Sequence, residues 1–322
     1  MGAGSTSSVR VQARSQARQG ATAQQVFSSN DLYPGMNPNG LVVRESRDSD
    51  EHPDSIAVGF MMDITGSMQS IPHKLATTVM PEFMPGLARV NPHVQVLFGA
   101  FGDAEDADYG GAWQIGQFET DDNRADEWLT RTWLDGSGGS WGYESSDLAF
   151  FFFGYHTSID CWKMRQRKGY AFVTTDDTCR PSVSARTVNR LLGRKELRED
   201  LPIDTVLAKA AQMYHVFVLI PDANRAAKGA RYLSDNGWEP YMTVEAHWRK
   251  RLGTHGTVVV LACAEDTAVV SSILFGLREG AYGSLTAILG DLETNFKRTG
   301  ESAARVIRAV SAYAESLGIV TE

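Results

Sequence analysis

The sequence predicts an α/β protein whose central sheet is doubly wound, mostly parallel and flanked by helices, as in Rossmann-like folds. Two observations support this prediction. Short apolar runs of strand length alternate with longer amphipathic stretches of helix length along most of the chain. The first run, residues 56–62, is apolar throughout, as expected of a strand that helices cover on both faces.

The individual elements follow from this alternation. Strands are predicted at residues 56–62, 93–101, 112–118, 169–175, 215–220 and 257–262. Helices are predicted at residues 67–89, 123–133, 148–162, 182–193, 202–214, 223–235, 267–277 and 284–313. Large apolar residues recur every four positions in the first helix, in which Pro81 and Pro85 are expected to cause a kink or a break.

Composition divides the chain into three parts. Residues 1–54 are predicted to be a flexible arm and linker, residues 55–280 the main α/β domain, and residues 281–322 a C-terminal helical extension. The first thirty residues contain three arginines and no acidic residue. This composition also fits an organelle transit peptide, and the first six residues fit the N-myristoylation pattern. We favour an arm that becomes ordered on docking and mediates assembly.

Charge and cysteine content argue against several function classes. The chain has 31 Lys and Arg against 39 Asp and Glu, a net charge of −8, which disfavours binding to a nucleic-acid backbone. No apolar stretch approaches the roughly 20 residues that span a bilayer. The three cysteines form no Cys-x-x-Cys pair and are expected to be reduced in a cytoplasmic protein. The histidines lack the spacing of a zinc site.

The strongest chemical signal follows the first strand. Asp63, Thr65 and Ser67 place a carboxylate and two hydroxyls at alternate positions, where a buried strand gives way to a helix. In a parallel sheet, the loops at the carboxyl ends of the strands form a crevice that binds ligands. Oxygen donors at such a point suit Mg²⁺, although the same residues are also able to cap the helix.

A second carboxylate is expected at the same edge of the sheet. The fourth strand is followed by Asp176 and Asp177, so parallel strands would bring Asp176 towards Asp63. A glycine-rich loop, residues 136–142, lies between the two strands in sequence and is a candidate for a third side. Two acidic strand ends are harder to explain by helix capping than one, and this favours a metal site.

The pattern resembles the metal-ion-dependent adhesion site of von Willebrand factor A (vWA) domains, in particular the bacterial stand-alone type. Asp63, Thr65 and Ser67 correspond to the family's Asp-x-Ser-x-Ser loop, and Asp176 corresponds to the aspartate after the fourth strand. Residues 138–146 resemble the Gly-Gly-x-x-Gly-x-Glu-Ser loop of some bacterial members, but the sequence departs from the family where a metal-facing polar residue is expected. That position holds Trp141, and the candidate ligands in this loop are Ser140, Glu144 and Ser145.

This resemblance implies a binding protein rather than an enzyme. It implies Mg²⁺, with Mn²⁺ or Ca²⁺ as alternatives, completed by an Asp or Glu from a protein partner. Stand-alone domains of this type often act as adaptors beside MoxR-like AAA+ ATPases. An acidic rim is expected to concentrate cations or to steer a basic partner, unless it is a solvated hairpin tip. The residues of this rim are Asp103, Glu105, Asp106 and Asp108.

Two other functions stay open. One is a structural assembly subunit whose metal site is vestigial. The other is a Mg²⁺-dependent phosphohydrolase of the haloacid-dehalogenase type, which uses an Asp-x-Asp pair after the first strand. Thr65 occupies the second position of that pair, so the general acid of such an enzyme is missing.

Overall fold

The structure is a computed structural model that describes residues 4–18, 20–68, 71–104, 111–134, 143–230, 233–234, 237–238 and 242–319. The helices are α1 Ser8–Ala17, α2 Ala23–Val26, α3 Ile71–Val90, α4 Asp122–Thr130, α5 Ser146–Tyr155, α6 Asp160–Arg165, α7 Ala185–Leu192, α8 Ile203–Met213, α9 Ala223–Ala226, α10 Val244–Leu252, α11 Thr267–Arg278, α12 Leu285–Thr294 and α13 Gly300–Ser316. The strands are β1 Arg44–Ser46, β2 Ile56–Asp63, β3 Val94–Phe101, β4 Trp113–Ile115, β5 Tyr143–Glu144, β6 Thr157–Ile159, β7 Gly169–Thr174, β8 Thr178–Cys179, β9 Ser182–Val183, β10 Leu201–Pro202, β11 Tyr214–Ile220, β12 Gly229–Ala230, β13 Leu233–Ser234, β14 Gly237–Trp238, β15 Met242–Thr243 and β16 Gly256–Val260. Short 3₁₀ helices cover Pro34–Met36, Gly66–Met68 and Ala264–Asp266.

Six of these strands form the central sheet. Their order is β16-β11-β7-β2-β3-β4. Every neighbouring pair is parallel except β3 and β4, which are antiparallel. The predicted fold class, a mostly parallel sheet flanked by helices, is therefore confirmed, with one antiparallel strand at an edge.

Helices cover both faces of the sheet. Successive side chains of a strand point to opposite faces, so each strand contributes to two hydrophobic cores. In β2, Phe60 and Met62 enter the core beneath α3, α11 and α13. Ala57 and Met61 enter the opposite core, beneath α5, α8 and α10. All eight residues of β2 are buried, which explains why the sequence shows no polar alternation there.

Several helices differ in extent from the prediction. The predicted helix 284–313 is divided into α12 and α13, and the predicted helix 148–162 is interrupted by the strand β6. The predicted helix 223–235 is wrong beyond α9, because the strands β12 and β13 follow it. In contrast, α3 continues through Pro81 and Pro85 as one helix. Among the described helices, none combines the length and the hydropathy needed to cross a bilayer.

The N-terminal segment is packed against the domain, which differs from the flexible arm that its composition predicts. The guanidinium groups of Arg10 and Arg14 bond to the Asp122 carboxylate. Arg18 donates two bonds of 2.6 and 2.7 Å to the carboxylate of Asp126. The buried apolar residues of the segment are Val11, Val26 and Phe27. The acidic helix α4 thus supplies a partner for the arginines within the same chain.

Candidate metal site

Three buried carboxylates meet at the carboxyl edge of the sheet. Asp63 is the last residue of β2, and Asp176 follows β7 by two residues. Glu144 comes from β5, whose parallel pairing with β8 places Glu144 opposite Cys179 and therefore beside the loop after β7. One oxygen atom from each carboxylate lies within 4.8 Å of the other two. The strand order thus brings Asp63 and Asp176 together, as the sequence predicts.

The two hydroxyls of the first loop link these carboxylates. Asp63 Oδ1 accepts from the Thr65 backbone N–H at 3.0 Å and from Thr65 Oγ1 at 2.7 Å. Ser67 Oγ lies 3.2 Å from Thr65 Oγ1 and donates to Asp176 Oδ1 at 2.6 Å. All four residues predicted as metal ligands, Asp63, Thr65, Ser67 and Asp176, therefore belong to one cluster.

Of the two second-loop candidates that the structure describes, Glu144 and Ser145, Glu144 reaches the cluster. Its Oε1 is in hydrogen-bond contact with Thr65 Oγ1 and lies 3.1 Å from Ser67 Oγ. Ser145 points elsewhere, since its Oγ accepts from the backbone N–H of Ala104 at 3.0 Å. Ser140 and Trp141 lie outside the described residues.

The donor set fits a divalent cation. Asp63 and Glu144 each keep one carboxylate oxygen, Oδ2 and Oε2, that is buried without a hydrogen-bond partner among the described residues. Buried polar atoms are normally paired, so two unpaired oxygens in one cluster need an explanation. Carboxylate and hydroxyl oxygens are ligands that Mg²⁺ and Ca²⁺ accept. A cation held among them would satisfy both atoms.

Burial and the crowding of negative charge raise the pKa of two of the three carboxylates, Asp63 and Glu144. Burial, together with the nearby charge of Asp176, raises the pKa of Asp63 to about 6. Burial and the charge of Asp63 raise the pKa of Glu144 well above its ordinary value. The single proton of the Thr65 hydroxyl cannot serve both acceptors, so either a proton on Glu144 or a cation must balance the cluster.

An arginine that sequence reasoning missed also reaches the cluster. Arg225, in α9, donates from Nε to Asp176 Oδ2 at 2.9 Å and from Nη2 to the Ser67 carbonyl at 3.0 Å. Asp222, the N-cap of α9, accepts from the Arg225 backbone N–H at 2.9 Å and from its guanidinium. The signal available in the sequence was the position of Asp222, two residues after a predicted strand, at the same edge of the sheet.

The acidic rim has a different environment from the one predicted. Asp103 is buried, and its Oδ1 accepts from Arg180 Nη2 at 3.0 Å. Asp103 is therefore part of an ion pair rather than an open acidic surface, and it is not a member of the carboxylate cluster. Glu105, Asp106 and Asp108 lie outside the described residues.

A second buried pair, Cys179 and His247, lies near the site but lacks the character of a catalytic dyad. His247 Nε2 accepts from the Cys179 backbone N–H at 3.2 Å and lies 3.5 Å from its Sγ. Burial raises the pKa of Cys179 to about 12 and lowers the pKa of His247 to about 3. Both side chains are thus neutral near pH 7, whereas a nucleophilic cysteine needs a thiolate. All three cysteines are free, as predicted.

Comparison with known proteins gives matches at the level of fold. No family model matches the chain, and no curated protein matches it. Similar solved structures include the pilus adhesin SpaC of Lactobacillus rhamnosus GG, at 12% identity over 77% of this chain and 31% of that chain, with a TM-score of 0.41. A von Willebrand factor type A protein from Catenulispora acidiphila matches at 14% identity over 79% of this chain and 52% of that one, with a TM-score of 0.39. The SpRpn10 VWA domain matches at 9% identity over 67% of this chain and 94% of that one, with a TM-score of 0.33.

The alignments thus span about a third of the SpaC chain and about half of the Catenulispora chain. The vWA-type interpretation of the fold rests on the strand order and on the three loops that carry Asp63, Glu144 and Asp176.

Proposed function

We propose that this chain is a metal-dependent protein-binding module of the vWA type. The observation that carries the proposal is the cluster of three buried carboxylates from three separate loops, in which Asp63 and Glu144 each keep an unpaired oxygen. Without a cation, the cluster must keep a proton on Glu144 to limit the cost of buried negative charge. A divalent cation removes that cost.

Each residue of the cluster has a distinct role in this proposal. Asp63, Glu144 and Asp176 would supply negative charge, and Thr65 and Ser67 would supply hydroxyl oxygens. Mg²⁺ is the preferred ion, because it takes oxygen ligands and keeps coordination positions for water or a ligand. When bound, the metal supplies a positive charge that attracts a carboxylate. An Asp or Glu of a partner protein would complete the site, so recognition would depend on the metal.

Binding of a partner protein explains the residues of the first loop, Asp63 and Thr65, better than catalysis does. A phosphohydrolase of the Asp-x-Asp type needs a second carboxylate two residues after Asp63, and Thr65 holds that position with its hydroxyl bonded to Asp63. We therefore infer a non-enzymatic role. Incubation of the protein with Mg²⁺ and p-nitrophenyl phosphate tests this point: turnover that disappears in Asp63→Asn would overturn it.

The partner class follows from the resemblance rather than from the geometry. A MoxR-like AAA+ ATPase is the candidate that stand-alone vWA proteins suggest, with this chain as its adaptor. The direct test is capture of such an ATPase from the same genome by the immobilised chain, with Mg²⁺ and then with EDTA. Capture that resists EDTA, or that persists in Asp63→Ala, would contradict a metal-dependent interface.

The metal itself is tested by isothermal titration calorimetry with Mg²⁺ and Mn²⁺. We expect the wild type to bind, Asp63→Ala to lose binding, and Glu144→Gln to bind about 10- to 100-fold more weakly, since one charged ligand is removed with little change in volume. Ser145→Ala is the matched control, because Ser145 is adjacent to Glu144 but bonds to Ala104.

The same titration distinguishes metal-dependent binding from the alternative of a structural subunit with a vestigial metal site. Absence of Mg²⁺ and Mn²⁺ binding in the wild type would favour the structural subunit with a vestigial site. Equal weakening in Glu144→Gln and Ser145→Ala would indicate that the loop is merely disturbed, and would remove Glu144 from the ligand set.

A further inference from the structure

The strand β16 forms an open edge of the central sheet. It pairs with β11 on one side, and no other described strand pairs with it. The backbone N–H of Leu261 donates to the Ile220 carbonyl at 2.9 Å, which fixes the direction of the hydrogen bonds along this pair. Because alternate residues of a strand turn their backbone groups to opposite sides, Val258 and Val260 direct their N–H and C=O groups away from β11.

Within the described part of the chain, this edge lacks the features that usually protect a sheet from further pairing. Natural edge strands carry charged side chains, prolines or bulges, or are covered by another element. The residues of β16, Gly256–Val260, include no charged residue and no proline. The edge instead lines a cleft of about 480 Å³ that α10 and α13 border.

The two bordering helices lie on opposite faces of the sheet, since α10 packs in one core and α13 in the other. Ala309 and Ala312 line the cleft on the α13 side, and these small side chains leave room beside the strand. The cleft therefore has the form that an added extended strand requires: an edge with outward backbone groups and space above and below it.

The charges of the cleft indicate the chemistry of its occupant. Its charged lining residues are Arg249, from α10, and Arg308, from α13. The two side chains are 57% and 61% exposed, and each has one glutamate partner, Glu245 and Glu301 respectively. Successive side chains of an added strand point to opposite faces, so two adjacent acidic residues would face one arginine each.

We propose that β16 is a docking site for an extended, acidic segment of a partner protein, which adds to the central sheet as a further strand. Backbone hydrogen bonds to Val258 and Val260 would supply affinity, and Arg249 and Arg308 would select a segment with adjacent Asp or Glu residues. This surface is separate from the carboxylate cluster, and the proposal does not depend on metal binding.

The test is selection of a random hexapeptide library, displayed on phage, against the full chain in EDTA, so that the metal site does not contribute. We expect the selected peptides to carry adjacent acidic residues among β-branched ones. A representative synthetic peptide should bind Val260→Pro about tenfold more weakly, because proline removes an outward N–H without touching the pairing with β11.

Charge reversal provides a second variant that keeps the strand intact. Arg249→Glu combined with Arg308→Glu should weaken the same peptide about tenfold or more. Lys250→Glu is the matched control, since Lys250 is exposed on α10 but does not line the cleft. Thermal unfolding of each variant establishes that it is folded.

Three outcomes would overturn the proposal. One is selection of peptides without an acidic pair. Another is equal binding of the peptide by the wild type and by the charge-reversed variant. The third is a dimer of the chain that Val260→Pro abolishes, which would make a second copy, rather than an acidic partner, the occupant of the edge.

Discussion

Arg225 and Ser67 bind different oxygen atoms of the Asp176 carboxylate. Its Nε donates to Asp176 Oδ2 at 2.9 Å, while Ser67 donates to Asp176 Oδ1 at 2.6 Å. A fixed positive charge therefore lies on one of the carboxylates that would bind the metal. Like charges repel, and the repulsion is larger in a partly buried place than in water. If the cluster holds a cation, as proposed, Arg225 is expected to lower its affinity while it orients Asp176.

The charge of Arg225 leads to a prediction of tighter metal binding. Arg225→Gln should bind Mg²⁺ about three- to tenfold more tightly than the wild type, since one unit of repulsion is removed. Calorimetric titration measures the change. Arg225→Lys keeps the charge and is the control, for which we expect no tightening. Weaker binding by Arg225→Gln would show that orientation of Asp176 outweighs repulsion.

The site residues that lie just after the ends of strands could be predicted from the sequence. Asp63 directly follows one apolar run, and Asp176 follows another after two threonines. Parallel pairing of the two runs is enough to bring both aspartates to one edge. Glu144 could not be chosen over Ser140 or Ser145, because its position depends on the short pairing of β5 with β8, which joins residues far apart in sequence. Arg225 was missed for a similar reason: its contact with Asp176 depends on the packing of a four-residue helix.

The same limit applies to the fold. Elements that depend on neighbouring residues could be predicted, and contacts between residues distant in sequence could not. The β2 and β7 strands were predicted from their apolar runs. The helix predicted for residues 148–162 is present only as far as Tyr155, where α5 ends and the strand β6 follows. Composition failed for the N-terminal segment. Its arginines suggested a solvated arm, but the acidic residues that bind them lie more than a hundred positions away. Only the tertiary structure brings the two groups together.

Docking of the N-terminal helix gives a stability prediction. Arg18→Ala should lower the free energy of unfolding by about 1–2 kcal/mol, because it breaks a two-bond ion pair and leaves the buried Asp126 with less compensation. Arg131→Ala is the control on the same surface, since Arg131 and Glu127 form an exposed pair 3.9 Å apart and the Arg131 guanidinium lies 5.0 Å from the centre of the Tyr33 ring. The control should lower stability by about 0.5–1 kcal/mol at most.

Urea denaturation of both variants measures this difference. A loss in Arg18→Ala no larger than that in Arg131→Ala would show that the N-terminal segment adds little to the folded state. Such a result would restore the interpretation of this segment as an arm that serves another chain.

The buried His247 predicts how stability changes with pH. Burial and the positive charges of Arg251 and Lys250 lower its pKa to about 3, from about 6.5 in an unfolded chain. Below pH 6.5 the unfolded state binds a proton that the folded state does not bind, so stability falls as the pH falls from about 6.5 towards 3. Between pH 7 and pH 5.5 this group should remove about 1 kcal/mol.

The measurement is urea denaturation of the wild type and of His247→Gln at both pH values. Glutamine keeps an acceptor for the Cys179 backbone N–H but does not titrate. The wild type should therefore lose about 1 kcal/mol more than the variant between pH 7 and pH 5.5. His215, whose pKa burial also lowers to about 3, is present in both proteins and cancels in the comparison. Equal losses would mean that His247 takes up a proton as readily in the folded state as in the unfolded one, and would contradict its role as acceptor for the Cys179 N–H.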